Sequence, residues 1–168
     1  MIVLMVLGST FVTSQADEGI DSSNPTVQAI YDAFNEHNAD LLADAATPDF
    51  KVWLNTVLVQ EGSDGLATWV LGNYTLLPDG AFIILHEVVE GDLNVTHFSF
   101  SGTNSTQVEG LPPPTGNEIP FAGTLMARME GDKVAELWVY WDTYPVFTEL
   151  GLIPDPNAVG IDTEFLFD

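Results

Sequence analysis

The sequence predicts an α+β domain in which early helices pack against a curved, mainly antiparallel sheet. Apolar residues recur at helical spacing in the first half of the chain, and the period then shortens to two. Two pairs of strand-like stretches in the second half are each joined by a Glu-Gly-Asp connection. With 168 residues and 46% hydrophobic side chains, the chain can bury one sizeable core and does not divide into two large domains.

Pro25 suits a first helical turn, and Val27, Ile30, Tyr31 and Phe34 form the apolar stripe of a first helix. Asn38 and Asp40 interrupt it, and Leu41, Leu42, Ala45 and Ala46 suggest a second short helix ending before Pro48. Residues 50–54 read as a short strand, and residues 65–74 as a third helix with Leu66, Trp69, Val70 and Tyr74 on its apolar side. Residues 81–89 and 93–100 are strands joined by Glu90-Gly91-Asp92. The stretch 102–117 contains Pro112, Pro113 and Pro114 and is not one continuous strand. Residues 119–129 and 134–141 make another pair across Glu130-Gly131-Asp132-Lys133, and a final helix starts near Thr143, with Pro145 in its first turn. There is no internal repeat or interdomain linker.

The expected division is residues 1–24 as an apolar arm or signal peptide plus polar segment, 25–153 as the domain, and 154–168 as an acidic tail. Residues 2–12 form an apolar run, and Ser14-Gln15-Ala16 before Asp17 resembles a cleavage boundary, although no Lys or Arg precedes the run. Cleavage would place the protein outside the cytoplasm, secreted or periplasmic; without it a cytoplasmic location is expected. Phe165-Leu166-Phe167 in the tail is a candidate latch onto a neighbouring subunit.

The charge balance excludes several functions. Twenty-five Asp/Glu against 3 Lys/Arg give a formal net charge of −22, leaving too few cations to neutralise nucleic-acid phosphates or bind an anionic membrane. A halophilic or marine setting fits the same excess. Zero cysteine removes disulfides, thiolate catalysis and cysteine-based zinc sites. His37, His86 and His97 have no metal-ligand spacing along the chain, so no metal or other cofactor is expected. Three Asn-x-Thr sequons at Asn73, Asn94 and Asn104 are read as turn, sheet or pocket groups rather than glycan acceptors.

Four segments, taken in order, carry a resemblance: Tyr31-Asp32-Ala33-Phe34-Asn35-Glu36-His37-Asn38, then Glu90-Gly91-Asp92, then Gly110-Leu111-Pro112-Pro113-Pro114-Thr115-Gly116, then Glu136-Leu137-Trp138-Val139-Tyr140-Trp141-Asp142. From about Val27 to Leu152 the chain resembles the SnoaL-like polyketide cyclase and ester cyclase branch of the nuclear-transport-factor-2-like (NTF2-like) superfamily. That resemblance implies a cone-shaped fold, helices closing against a curved, mixed and mainly antiparallel sheet around a pocket. It also implies that Asp142, ending the Glu-x-Trp-x-x-x-Asp arrangement, acts as acid/base. Asn104 stands where the branch often has His, and Leu137 where an imidazole is common beside the tryptophan.

Strand alternation puts Glu136, Trp138, Tyr140 and Asp142 on one face, which is expected to line the pocket. An Asp at a strand end is also well placed to cap the following helix, and that role competes with catalysis for the same oxygens. His86 and His97 both fall on strands; pointing inward, either can exchange a proton with Asp142, and a bulge would reverse that facing. Asn104 is a carbonyl-binding candidate, Trp138, Tyr140 and Trp141 offer broad surfaces to a flat molecule, and Leu111 adds an apolar edge to a proline-stiffened rim. His37, at the end of the first helix, is assigned solvent exposure or an electrostatic role. Arg128 is expected in a surface salt bridge, with Glu130 the named partner.

The expected function is a cofactor-independent cyclase of acid/base type acting on a small hydrophobic or polyketide-like carbonyl compound. Three other readings stand beside it: a noncatalytic module binding a hydrophobic metabolite, a hydrolase or isomerase on the same fold, and a homodimeric assembly domain using the exposed side of the sheet. No nucleic-acid partner and no stable membrane insertion are expected.

Overall fold

The computed structural model describes residues 19–154; the apolar run and boundary near Ala16 and the Phe165-Leu166-Phe167 latch lie outside the described residues. Helix α1 spans Pro25–Asn35. Its start is fixed locally: Asn24 accepts hydrogen bonds through Oδ1 from the Thr26 and Val27 amides at 2.9 and 3.2 Å, and Pro25 fills the first turn, where no amide hydrogen is needed. Val27, Ile30, Tyr31 and Phe34 are buried, as their spacing predicts, and Ala33 is buried beside them.

The region after α1 differs from expectation. Leu41 and Leu42 fall in a single 3-10 turn, Ala39–Leu42, and strand β1 already begins at Ala46 and runs to Leu54. Pro48 is tolerated inside β1 because the pairing with the neighbouring strand is interrupted between Ala46 and Lys51, where a proline removes no ladder bond. Strand β2, Val57–Glu61, was not expected; it pairs antiparallel with β1 across a turn in which Asn55 takes φ 53°. Its residues are half-buried or exposed, so it carries little hydrophobic pattern to read. Helix α2 covers Gly65–Leu76, two residues beyond the predicted end.

Strands β3 (Ala81–Glu90) and β4 (Leu93–Ser101) form the first predicted hairpin, and β5 (Phe121–Glu130) and β6 (Lys133–Trp141) the second. Gly91 and Gly131 turn them at φ 61° and 62°, in the left-handed region that a β-carbon disfavours. Helix α3, Thr143–Glu149, follows β6 directly. The six strands lie in the order β2-β1-β6-β5-β4-β3, with only β1 and β6 parallel. The helices cover one face of this mixed sheet, giving an α+β cone. No helix among the described residues is long and apolar enough to cross a membrane.

The segment before α1 is stitched to the edge of the sheet. Ile20 donates its amide to the Ile84 carbonyl at 2.9 Å, and the Glu87 carboxylate receives the Ser22 hydroxyl, the Ser23 amide and the Asn94 side chain. Desolvation pushes the Glu87 pKa up, but these donors outweigh it and hold it at about 2. A depressed carboxylate stabilises the fold above its unfolded pKa and loses that contribution as pH falls toward the folded value. Glu87→Gln is therefore expected to cost about 1 kcal/mol near neutrality after solvent screening, with the difference from wild type vanishing between about pH 5 and 2. Urea unfolding of both proteins across that range checks this.

Candidate functional site

The cone holds a chamber with a cavity volume of about 100 Å³, open on one side. Its sheet wall comes from alternate residues: Phe82 on β3, Phe98 and Phe100 on β4, Phe121 and Leu125 on β5, Val139 and Trp141 on β6, and Leu54 on β1. Tyr31 and Phe34 of α1, Trp69, Asn73 and Tyr74 of α2, and Val146 of α3 complete it. The rings pack edge to face, tilted or stacked: Phe34 with Trp69 edge to face at 5.1 Å, Phe82 with Phe100 tilted at 4.6 Å, Phe121 with Trp141 tilted at 4.9 Å, and Phe100 stacked on Phe121 at 4.6 Å between centroids. Room for them is made by glycines. A β-carbon on Gly123 would stand 2.6 Å from the Phe98 ring, and one on Gly80 would stand 2.4 Å from Phe100.

No carboxylate lines this chamber among the described residues. Its polar groups are mostly committed to the protein. The Tyr31 hydroxyl shares a 2.5 Å hydrogen bond with Thr96, whose own hydroxyl reaches the Leu125 carbonyl at 3.3 Å. Burial raises the Tyr31 pKa strongly, against the opposing Thr96 bond and helped by the nearby Glu87 charge, so the phenol stays neutral. Tyr74 donates to the Ala33 carbonyl at 3.2 Å and Asn73 to the Trp69 carbonyl at 2.7 Å.

Two groups are exceptions: the indole Nε1 of Trp141 is buried with no hydrogen-bond partner, and His37, to which sequence reasoning assigned no role at the site, stands at the rim. Helix α1 closes with the His37 amide on the Phe34 carbonyl and the Asn38 amide on the Ala33 carbonyl, a Schellman pattern that requires a left-handed residue. Glycine is usual there; this chain holds His37 at φ 52°. The turn brings the imidazole over Tyr74, with ring centroids 4.9 Å apart, at the mouth of the chamber. Among the described residues the imidazole makes no hydrogen bond, and it helps depress the pKa of Asp79, which the Thr103 side chain and amide lower first.

Most of the expected site residues lie elsewhere. On β6 the row Leu137, Val139, Trp141 turns inward, so Glu136, Trp138 and Tyr140 occupy the opposite, outer face. Both rows are apolar enough to be core, and the choice falls to packing against α1 and α3. Glu136 ion-pairs with Arg128 at 2.9 Å on that outer face, and Arg128 also holds Glu130 at 2.8 Å, as the sequence suggested. Trp141 alone of the aromatic triad lines the chamber.

Asp142 is exposed and spends Oδ1 on the Tyr144 amide at 3.0 Å, capping α3. His86 and His97 face outward beside each other. Asn104 is buried, but it clasps the proline-rich loop, accepting from the Gly116 amide at 2.8 Å and donating to the Thr115 hydroxyl at 3.2 Å. Leu111 lies on that loop and does not reach the chamber lining; the loop instead ties to α3 through Asn117 and Glu149 at 3.0 Å.

The cap predicts a modest cost. Asp142→Ala is expected to lower stability by about 1 kcal/mol, and Asp142→Asn, which keeps the capping oxygen, by a few tenths of that. Thermal unfolding of the two variants beside wild type checks this.

A model of the SnoaL-like polyketide cyclase family matches residues 25–150. Among curated proteins none matches the chain. Solved structures do. A candidate SnoaL-like polyketide cyclase from Jannaschia sp. CCS1 superposes with TM-score 0.66 at 20% identity, covering 81% of this chain and 100% of that one. IdmH, a candidate polyketide cyclase from Streptomyces antibioticus, gives 0.64 at 24% identity, covering 75% and 96%. AclR, a candidate hydroxylase from Streptomyces galilaeus, gives 0.66 at 19% identity, covering 77% and 95%. These likenesses establish the cone fold, and the family match, taking in α1 through α3, identifies the chain as a member of the SnoaL-like polyketide cyclase family.

Proposed function

We propose that the protein has a cyclase-type role, taking a small, hydrophobic, polyketide-like carbonyl compound into the aromatic chamber and holding its reacting ends together. The observation that carries this reading is the lining itself: a belt of rings around an open-mouthed space, with one uncommitted imidazole at the rim. Such walls bind flat apolar molecules and fold a flexible chain against itself, which removes much of the entropic barrier to ring closure.

The chemistry then falls to His37. An imidazole is the side chain suited to proton exchange near neutral pH. It would take a proton from a methylene beside a carbonyl, the electron pair would attack a second carbonyl of the same molecule, and the proton would return to the new alkoxide. Atoms balance without a cofactor. The left-handed backbone at His37 supports a functional reason for histidine, since glycine would satisfy the helix end with less strain. Asp142, the acid/base that the resemblance implies, is assigned the capping role instead.

A noncatalytic binding module is favoured by one observation, the absence of a carboxylate from the chamber lining among the described residues. One experiment separates the readings. Trp69 and Trp141 fluorescence reports binding of aromatic β-keto esters, and mass spectrometry reports ring closure. His37→Gly is expected to raise stability by up to about 1 kcal/mol and to lower turnover about 100-fold or more, with affinity changed little. Asp142→Asn should leave turnover within about twofold, since Asp142 is exposed, is absent from the chamber lining and spends its Oδ1 on the α3 cap, a role that Asn keeps. Binding without turnover by wild type would favour the module; turnover lost in Asp142→Asn but kept in His37→Gly would overturn the assignment.

A further inference from the structure

On the outer face of the sheet the bonding register brings together two histidines that lie 11 residues apart in sequence. Strands β3 and β4 pair Ile84 with Phe98 and then His86 with His97, so Leu85 is an extra residue on β3. That bulge decides the site. Without it Leu85 would face His97, and His86 would point toward the inner side. With it, both exposed imidazoles stand side by side, their planes 13° apart and their Nδ1 atoms separated by 3.2 Å.

Two nitrogens at that separation match the bite of one first-row metal ion. Zinc–imidazole bonds of about 2.0–2.1 Å in a tetrahedral shell place two ligand nitrogens roughly 3.3 Å apart. We propose that His86 and His97 form a two-histidine chelate for a borderline divalent cation of the zinc, copper or nickel class. Each Nδ1 donates its lone pair to the ion, and the hydrogen that the pair shares moves to the Nε2 of its ring, so two neutral imidazoles bind without changing their charge. Water fills the remaining positions, because among the described residues no third His, Cys, Asp or Glu joins the group.

The ligand chemistry sets what the site prefers. Imidazole nitrogen suits zinc, copper and nickel, whereas magnesium and calcium prefer oxygen. A formal charge of −22 draws every cation toward this surface, so selectivity rather than attraction identifies the chelate. Spacing along the chain does not reveal this pair, which strand register alone creates.

Isothermal titration of the full-length chain with zinc chloride at pH 7.5, in excess magnesium, tests the proposal. Wild type is expected to bind one ion per chain that magnesium does not displace. His86→Gln and His97→Gln are each expected to weaken it about tenfold or more, and the double variant to be scarcely weaker than either single one, since losing one donor already breaks a chelate. His37→Gln should leave it unchanged. Because both histidines are exposed, circular dichroism should show all variants folded. Equal zinc affinity in wild type and the double variant would overturn the chelate and leave the pair as a hydrogen bond alone, and full displacement by magnesium would assign the binding to carboxylates.

Discussion

Each strand of the sheet commits every second side chain to one face, and the rest of the molecule follows from which row goes inside. Phe82, Phe98, Phe100, Phe121 and Trp141 face the helices and become a wall of rings, while their neighbours His97, Ser99, Trp138 and Tyr140 are carried to the other side. Burial of each large ring contributes about 1.5–3 kcal/mol, far more than a cap or an exposed ion pair, so the inward row is set by packing. A carboxylate available for chemistry has no influence on that choice. The position of Asp142, one residue past the inward Trp141, is therefore a consequence of parity.

The chamber that results is chemically spare. Tyr31, Asn73 and Tyr74 place polar atoms near it, yet each is held by a protein partner, and the buried Tyr31 hydroxyl would cost about 1–3 kcal/mol without Thr96. What remains uncommitted is the Trp141 indole N–H in the wall and the imidazole at the rim, where α1 ends. There the helix terminus needs a left-handed residue, and the chain supplies His37, so the device that stops the helix also aims an imidazole. Local backbone geometry and site chemistry thus rest on the same residue.

The outer face obeys the same alternation with one interruption. A single extra residue, Leu85, reverses the parity of β3 and sets His86 opposite His97. The face also carries the Arg128–Glu136 ion pair, Trp138 and the exposed Tyr140 and Val88, in a molecule otherwise dominated by negative charge. It is chemically distinct from the chamber it backs, and a single sheet presents both.

Much was legible from the sequence alone. Pro25 starts α1, Val27, Ile30, Tyr31 and Phe34 give it a buried stripe, and Glu-Gly-Asp turns both hairpins, because helix starts, periodicity and turn residues act over a few neighbouring positions. The Asp142 cap was equally local. Beyond that reach the sequence was ambiguous. Leu137, Val139 and Trp141 alternate with Trp138 and Tyr140, two rows that are both apolar, and only contact with α1 and α3 selected the first as interior. The edge strand β2, the bulge at Leu85 and the histidine pairing depend on register between separate strands, which no short stretch of chain encodes. Composition and local pattern determined that there would be helices over a sheet with one core; tertiary packing decided which residues would share the chamber, because facing is set by the partner strand and not by the residue itself.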